Sequence, residues 1–183
     1  HRIMESHDSF YVGTDVFYTY LVQNGCWWMV QDQKQNFSHE NQTDTARRRI
    51  LAGKFPEYIQ KQFADMLAYF GQSPIIVRSS SLLEDNFGNA FAGKYEGVFC
   101  ANQGGPHNRR GDFVSAMRTV YASMMSEEAL VYREQRGLMG NDEQMALLIQ
   151  RVSGANYGNL FYPQAAGVGY SFNPDLWHES IDP

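Results

Sequence analysis

The middle of the chain has an amphipathic helical pattern that is followed at once by a short apolar run, and this combination strongly limits the folds that the chain can adopt. Apolar side chains recur every three or four residues from Ile59 to Phe70, which predicts a helix with one buried face. Gly71 ends that pattern, and the β-branched residues that begin at Ile75 then predict a buried strand. A helix and a strand so close in sequence indicate a core built from both.

Further helices and strands are predicted along the rest of the chain. Thr14 and Asp15 can cap a first helix, which ends near Asn24. Asp112 can cap a long second helix, and a third helix begins at Ser126 and ends at Gly137. The strands are residues 95–100, residues 145–152, and a hairpin of 160–162 with 168–172. Helices come first and strands mixed with helices follow, which favours an α+β fold.

Composition excludes several classes of protein. The 183 residues fit one domain, and a net charge of -5 without a basic block argues against a nucleic-acid partner. No apolar run approaches the roughly 18 residues of a membrane span. Cys26 and Cys100 lack any Cys-x-x-Cys spacing, which predicts two buried thiols in a reduced cytosol, and the histidines predict neither a metal site nor a catalytic residue. The polar segment 31–45 is predicted to be a surface loop or an exposed helix.

Arg78 follows the apolar strand directly and is the first candidate for ligand binding. Three serines come after it, beginning at Ser79. An arginine at the end of a strand, beside hydroxyl and backbone N–H groups, is well placed to bind a phosphate. The alternative is a structural ion pair with Glu84 or Asp85, and the residue types leave both interpretations open.

A glycine-containing run and a glutamine inside a strand are two further candidates. In residues 87–94, Gly93 lets the backbone approach a phosphate and Lys94 adds a positive charge. This run is not a Walker motif, because Tyr95 stands where that motif requires serine or threonine. A tight turn is the alternative. Gln150 lies within the apolar strand 145–152, where it either binds a ligand or faces solvent.

Together these blocks resemble the nucleotide-binding domain of the phosphoenolpyruvate synthase and pyruvate, phosphate dikinase family. Residues 76–81, 84–85 and 90–95 are similar to that family's Val-Arg-Ser-Ser-Ala, Glu-Asp and Ser-Phe-Ala-Gly-Gln blocks. Residues 10–17, 148–152 and 166–174 follow the order of three more of its blocks. The resemblance therefore covers about residues 10–174.

The resemblance implies an ATP-grasp-like fold, in which two α+β lobes hold ATP between them. Residues 1–183 would then be a partial domain of that type, incomplete at both ends. It implies that Arg78 contacts the nucleotide phosphates, that Gly93 and Lys94 lie at the loop covering them, and that Gln150 binds the nucleoside end. It also implies Mg²⁺, with metal ligands beyond this chain, and partner domains that carry a phosphohistidine and bind pyruvate.

The activity implied is that of the ATP-binding part of a cytoplasmic dikinase. Such an enzyme passes a phosphoryl group from ATP to a histidine on a separate domain, toward pyruvate and phosphoenolpyruvate chemistry, and this piece alone is expected to be inactive. Lys94 replaces the usual glutamine, Gly97 stands where a phosphate-contacting threonine is common, and no lysine precedes Phe10. These departures motivate the alternative of a non-catalytic nucleotide-binding regulatory module. An α+β interaction domain without nucleotide is a third hypothesis, which requires the matching blocks to be coincidence.

Overall fold

The computed structural model describes residues 8–33, 40–84 and 93–167, which contain both helices and strands, so the mixed α and β fold class is confirmed. The chain divides into two units, one ending at Val152 and one beginning at Ser153. The described elements of the first are, in chain order, β1 (Ser9–Val12), α1 (Thr14–Gln23), α2 (Trp27–Gln33), α3 (Glu40–Ala52), α4 (Glu57–Phe70), β2 (Ile75–Ser81), β3 (Val98–Cys100), α5 (Pro106–Ser123), α6 (Glu127–Gln135) and β4 (Met145–Arg151). Those of the second are β5 (Ala155–Tyr157) and β6 (Leu160–Tyr162).

The first unit is built on an antiparallel sheet with the strand order β1-β4-β2-β3. Successive side chains of a strand point to opposite faces, and burial follows that alternation. Val77, Leu147 and Ile149 are fully buried beneath the helices, with α1 against β4 and α5 against β2 and β3. The opposite face, called the open face below, carries half-buried or exposed side chains: Ser9, Tyr11, Ile76, Arg78, Ser80, Phe99, Ala146, Leu148 and Gln150.

The helix that Asp112 is predicted to cap begins earlier in the chain, at Pro106. Gly105 is its N-cap, and proline suits the first helical position because its missing N–H needs no partner there. Arg109 then anchors this first turn, since its guanidinium donates to the carbonyl oxygens of Leu67 and Gly71 at the end of α4. The first turn of this helix could not be predicted from its polar sequence, because contacts with α4 stabilise it.

One strand prediction also needs correction, and one predicted hairpin stays a prediction. The strand predicted over 95–100 is confined to Val98–Cys100, because the Tyr95 side chain is buried against Glu143 instead of extending the ladder. The predicted partner of residues 160–162 lies outside the described residues, and β6 pairs with β5. The turn between them is Gly158-Asn159, with Gly158 at φ 63°, a two-residue hairpin signal that the sequence contains.

The polar segment 31–45 is helical at both described ends. Helix α2 continues to Gln33 and α3 begins at Glu40, while residues 34–39 lie outside the described part of the chain. On α3, Arg48 forms an ion pair of 2.5 Å with Asp44, one helical turn away, and both side chains are largely exposed. For these ends, the exposed-helix alternative is the better description.

Both cysteines are free thiols with buried side chains, as predicted. Cys26 is fully buried and Cys100 is 7% exposed. Burial raises the pKa of both thiols, that of Cys100 to about 11. Neither is therefore a thiolate near neutral pH.

A buried asparagine closes the end of α4 and gives a testable contribution to stability. Asn102 has φ 58°, and its side-chain Nδ2 donates to the carbonyl oxygens of Gly71, at 3.0 Å, and Ser73, at 2.8 Å. Its Oδ1 accepts a hydrogen bond from Arg109 Nε at 2.9 Å. We expect Asn102→Ala to lower the free energy of unfolding by about 2–3 kcal/mol, because buried hydrogen bonds are lost and alanine is strained at positive φ. Urea denaturation measures this.

Asn102→Gly is the matched variant, since glycine loses the same hydrogen bonds but adopts positive φ without strain. It should be about 1 kcal/mol more stable than Asn102→Ala. Equal stability of the two variants would show that the left-handed backbone at this position contributes nothing.

Candidate nucleotide site on the open face of the sheet

Strand register arranges the open face as two rows of side chains that run across the sheet. In the first row Ser9 lies opposite Gln150, Gln150 opposite Ile76, and Ile76 opposite Phe99. In the second row Tyr11 lies opposite Leu148, and Leu148 opposite Arg78. Gly97 continues the second row beside Arg78. Two sequence candidates, Arg78 and Gln150, therefore share this face on the adjacent central strands.

Arg78 is exposed on the open face, with its charge directed away from the core. Within the described residues, no hydrogen bond or ion pair engages its guanidinium. A planar guanidinium with its donors available is suited to bidentate contact with phosphate oxygens. Arg78 thus has N–H donors that no described residue uses.

Glu84, one of the two possible ion-pair partners of Arg78, forms hydrogen bonds to other residues. Its carboxylate accepts hydrogen bonds from the Ser79 hydroxyl, at 2.9 Å, and from the Ser81 backbone N–H, at 3.1 Å. Ser79 and Ser81 alternate with Arg78 along β2, so this contact lies on the covered face. The other alternative, Asp85, lies outside the described residues.

Gln150 is half-buried in the first row of the open face. Its Nε2 donates to Ser9 Oγ at 3.3 Å, which ties the amide to the neighbouring strand β1. Strand geometry places the Cα atoms of Gln150 and Arg78 about 8 Å apart, one strand across and two residues along. The side chains of Ile76 and Leu148 lie between these two polar groups and provide an apolar floor.

Gly97 leaves a space beside Arg78 that a side chain can enter. A Cβ atom added at Gly97 would lie 3.8 Å from Arg78 Cγ and 3.9 Å from Ile76 Cδ1, which are ordinary van der Waals distances. Gly97 has no positive φ, so its backbone accepts other residues. The missing threonine of the family pattern would thus project next to Arg78.

Gly93 and Lys94 stand at the start of the described segment that leads into β3. Gly93 has φ 77° and is exposed, a backbone conformation that favours glycine. Lys94 Nζ lies 5.1 Å from the centre of the Tyr132 ring on α6, a cation–π contact that Arg136 shares at 5.3 Å. The preceding residues of the glycine-containing run, 87–92, lie outside the described part.

A buried polar cluster behind this segment was missed at the sequence level. The Tyr95 hydroxyl donates to Glu143 Oε2 at 2.5 Å, and both side chains are about 95% buried with Arg133 nearby. Desolvation raises the pKa of Glu143, against the opposing effects of the Tyr95 hydrogen bond and the Arg133 charge. Glu143 lies among exposed polar residues in the sequence, so no local pattern marks it. The cluster fixes the backbone between Lys94 and β3.

The described residues provide no metal centre. Among them, no three His, Cys, Asp or Glu side chains gather into a group that would hold an ion. None of their helices combines the length and apolar character needed to cross a bilayer.

Comparisons with known proteins identify the family of the chain. The model of the pyruvate phosphate dikinase AMP/ATP-binding domain matches residues 2–180. Rifampicin phosphotransferase of Bacillus cereus is 26% identical over 129 residues, which are 70% of this chain and 13% of that protein. The chain thus spans about an eighth of the length of this relative. Because the family model extends over almost all of its residues, the chain belongs to the AMP/ATP-binding domain family of pyruvate phosphate dikinase.

Proposed function

We propose that the open face of the sheet binds ATP, with Arg78 on the phosphates and Gln150 at the nucleoside end. The observation that carries this proposal is the placement of these two side chains on the same face of the sheet, on adjacent strands, with an apolar floor between them. An ATP-binding family supports the ligand. The fold would then be one lobe of an ATP-grasp-like arrangement.

The residues of this face suit the different parts of the nucleotide. Arg78 offers a full positive charge and paired N–H donors, which the phosphates require. Gln150 offers an amide that both donates and accepts hydrogen bonds. Ile76 offers an apolar surface that a flat base can cover when it leaves water.

We assign Gly93 and Lys94 to the phosphate end of the same ligand. Lys94 contributes a second positive charge, and its contact with Tyr132 restricts where that charge lies. Gly93 lets the backbone approach a phosphate, because it has no side chain and, among the described residues, nothing lies within 4 Å of where a Cβ atom would stand. Magnesium bound to ATP would neutralise part of the phosphate charge. The described residues include no group of three His, Cys, Asp or Glu side chains that would hold the ion.

We further propose that the chain is the ATP-binding part of a dikinase. Phosphoryl transfer needs positioning and charge stabilisation more than covalent participation of the protein, which fits a face that offers the Arg78 guanidinium to the phosphates. The proposed acceptor is a histidine on a separate domain, and the reaction leads toward pyruvate and phosphoenolpyruvate. The similarity to rifampicin phosphotransferase makes an antibiotic a second candidate for the final acceptor.

A non-catalytic nucleotide-binding regulatory module is the alternative, and Gly97 is the observation that favours it. At this position a hydroxyl beside Arg78 is missing, although the structure has room for one. The two functions differ in the product formed from ATP. A dikinase forms phosphohistidine, which is labile to acid and stable to base, whereas the module forms none.

The direct test is titration of the protein, expressed from its complete reading frame, with Mg-ATP in a calorimeter. Saturable binding supports the proposal, and no binding up to millimolar ATP refutes it. Incubation with γ- and β-labelled ATP then separates the two functions. Acid-labile label on the protein supports the dikinase, and bound but unreacted nucleotide supports the regulatory module.

Restoring a hydroxyl beside Arg78 should strengthen nucleotide binding. We expect Gly97→Thr to lower the Kd for Mg-ATP about fivefold, because one hydrogen bond to a charged group contributes about 1 kcal/mol or more. Gly97→Val is the control, since valine has the same shape without the hydroxyl. Equal affinities of the two variants would contradict a phosphate contact at this position.

A further inference from the structure

Two large aromatic side chains stand exposed on the open face, one on each edge strand. Tyr11 on β1 is 74% exposed and Phe99 on β3 is 71% exposed. Isolated exposed aromatic residues are common on protein surfaces. These two are distinctive because they flank the apolar floor on which the proposed nucleotide lies.

The two rings occupy different rows of the face. Phe99 lies directly opposite Ile76, which in turn lies opposite Gln150, so all three share the first row. Tyr11 lies opposite Leu148, which lies opposite Arg78, so the tyrosine shares the row of the phosphate-binding arginine. The rows therefore distinguish a nucleoside side from a phosphate side.

The spacing of the strand decides which apolar residue carries the base. Ile76 and Arg78 are two residues apart on β2, a separation of about 7 Å that leaves the length of a ribose between base and phosphate. Leu148 is directly opposite Arg78, only about 5 Å away, which is too close for a base joined through a ribose. A base over Ile76 has Gln150 on one side and Phe99 on the other.

We infer that Phe99 is a specificity-determining residue whose ring packs against the aromatic base of the nucleotide. This inference rests on the proposed function and names the group that recognises the base by its flat surface, while Gln150 recognises its polar edge. An aromatic ring stacks on any base, so Phe99 contributes affinity for a nucleotide over a simple polyphosphate.

The test measures Kd for Mg-ATP in the wild type, in two variants of Phe99, in Tyr11→Ala and in Arg78→Ala. We expect Phe99→Ala to weaken binding about tenfold, the effect of losing one stacked base contact. Phe99→Trp should stay within about twofold of the wild type, because the larger ring still stacks. Tyr11→Ala is the matched control, an equally exposed aromatic residue of the other row, and should also stay within about twofold. Thermal unfolding verifies that each variant is folded.

The outcomes separate this inference from the proposed function. If Arg78→Ala weakens binding while Phe99→Ala does not, the role of Phe99 is refuted and the site stands. If Tyr11→Ala weakens binding as much as Phe99→Ala, the assignment of the base to the first row is refuted. If the wild type binds no Mg-ATP, the proposed function fails, and the role of Phe99 fails with it.

Discussion

Arg78→Ala is expected to weaken Mg-ATP binding about 70-fold, the largest effect of any single substitution on the open face. The loss corresponds to about 2.5 kcal/mol, because a charged hydrogen-bonding group is removed from the phosphates. The stability of the fold should change by less than about 0.5 kcal/mol, since the guanidinium is exposed and holds no partner among the described residues. Calorimetric titration and urea denaturation measure the two quantities.

Arg110→Ala and Arg78→Lys are the matched controls for this prediction. Arg110 is also an exposed arginine and lies on α5, away from the open face, and its loss should leave the Kd within about twofold. Lysine at position 78 keeps the charge without the paired donors, so its affinity should be intermediate. If Arg78→Ala and Arg110→Ala have the same Kd, Arg78 does not contact the ligand.

Leu147→Ala is expected to have the largest effect on stability, a loss of about 3 kcal/mol in the free energy of unfolding. Leu147 is fully buried on the central strand β4, opposite Val12 on one side and Ser79 on the other. Truncation leaves a cavity beneath the helices and removes apolar contacts from the core. Urea denaturation followed by circular dichroism measures this loss.

Leu148→Ala, the next position on the same strand, tests the division of the sheet into two faces. Leu148 is only half-buried on the open face, so its truncation should cost less than about 1 kcal/mol. The same substitution at adjacent residues thus separates a core position from a surface position. Equal losses at both would mean that the open face is covered in solution.

The face to which each side chain points was predictable wherever a strand was recognised. Strict alternation in β2 puts Val77 in the core and Arg78 on the opposite side, a consequence of the period of two. The adjacency of Arg78 and Gln150 was not predictable from periodicity. It depends on the register between β2 and β4, which are far apart in the chain, and that register is set because the apolar side chains of both strands must share the face that the helices cover.

The errors in the predicted elements share one physical cause. Contacts between residues distant in sequence decide where these elements begin, and the local sequence pattern does not reflect such contacts. Helix α5 extends through a polar first turn because Arg109 reaches the end of α4. Strand β3 starts late because Tyr95 is buried on Glu143, forty-eight residues away in sequence. Such long-range polar contacts have no periodic signature in either segment.

Because both thiols are buried, a cysteine introduced on the surface can be labelled selectively. Cys26 and Cys100 are the chain's two cysteines, and both are shielded and protonated at neutral pH. A cysteine introduced at Ser80, two residues from Arg78 on the open face, would therefore react with a maleimide dye far faster than the native pair. The face can thus carry a site-specific fluorescent reporter in the otherwise unaltered sequence, and ligand arrival can be followed in real time.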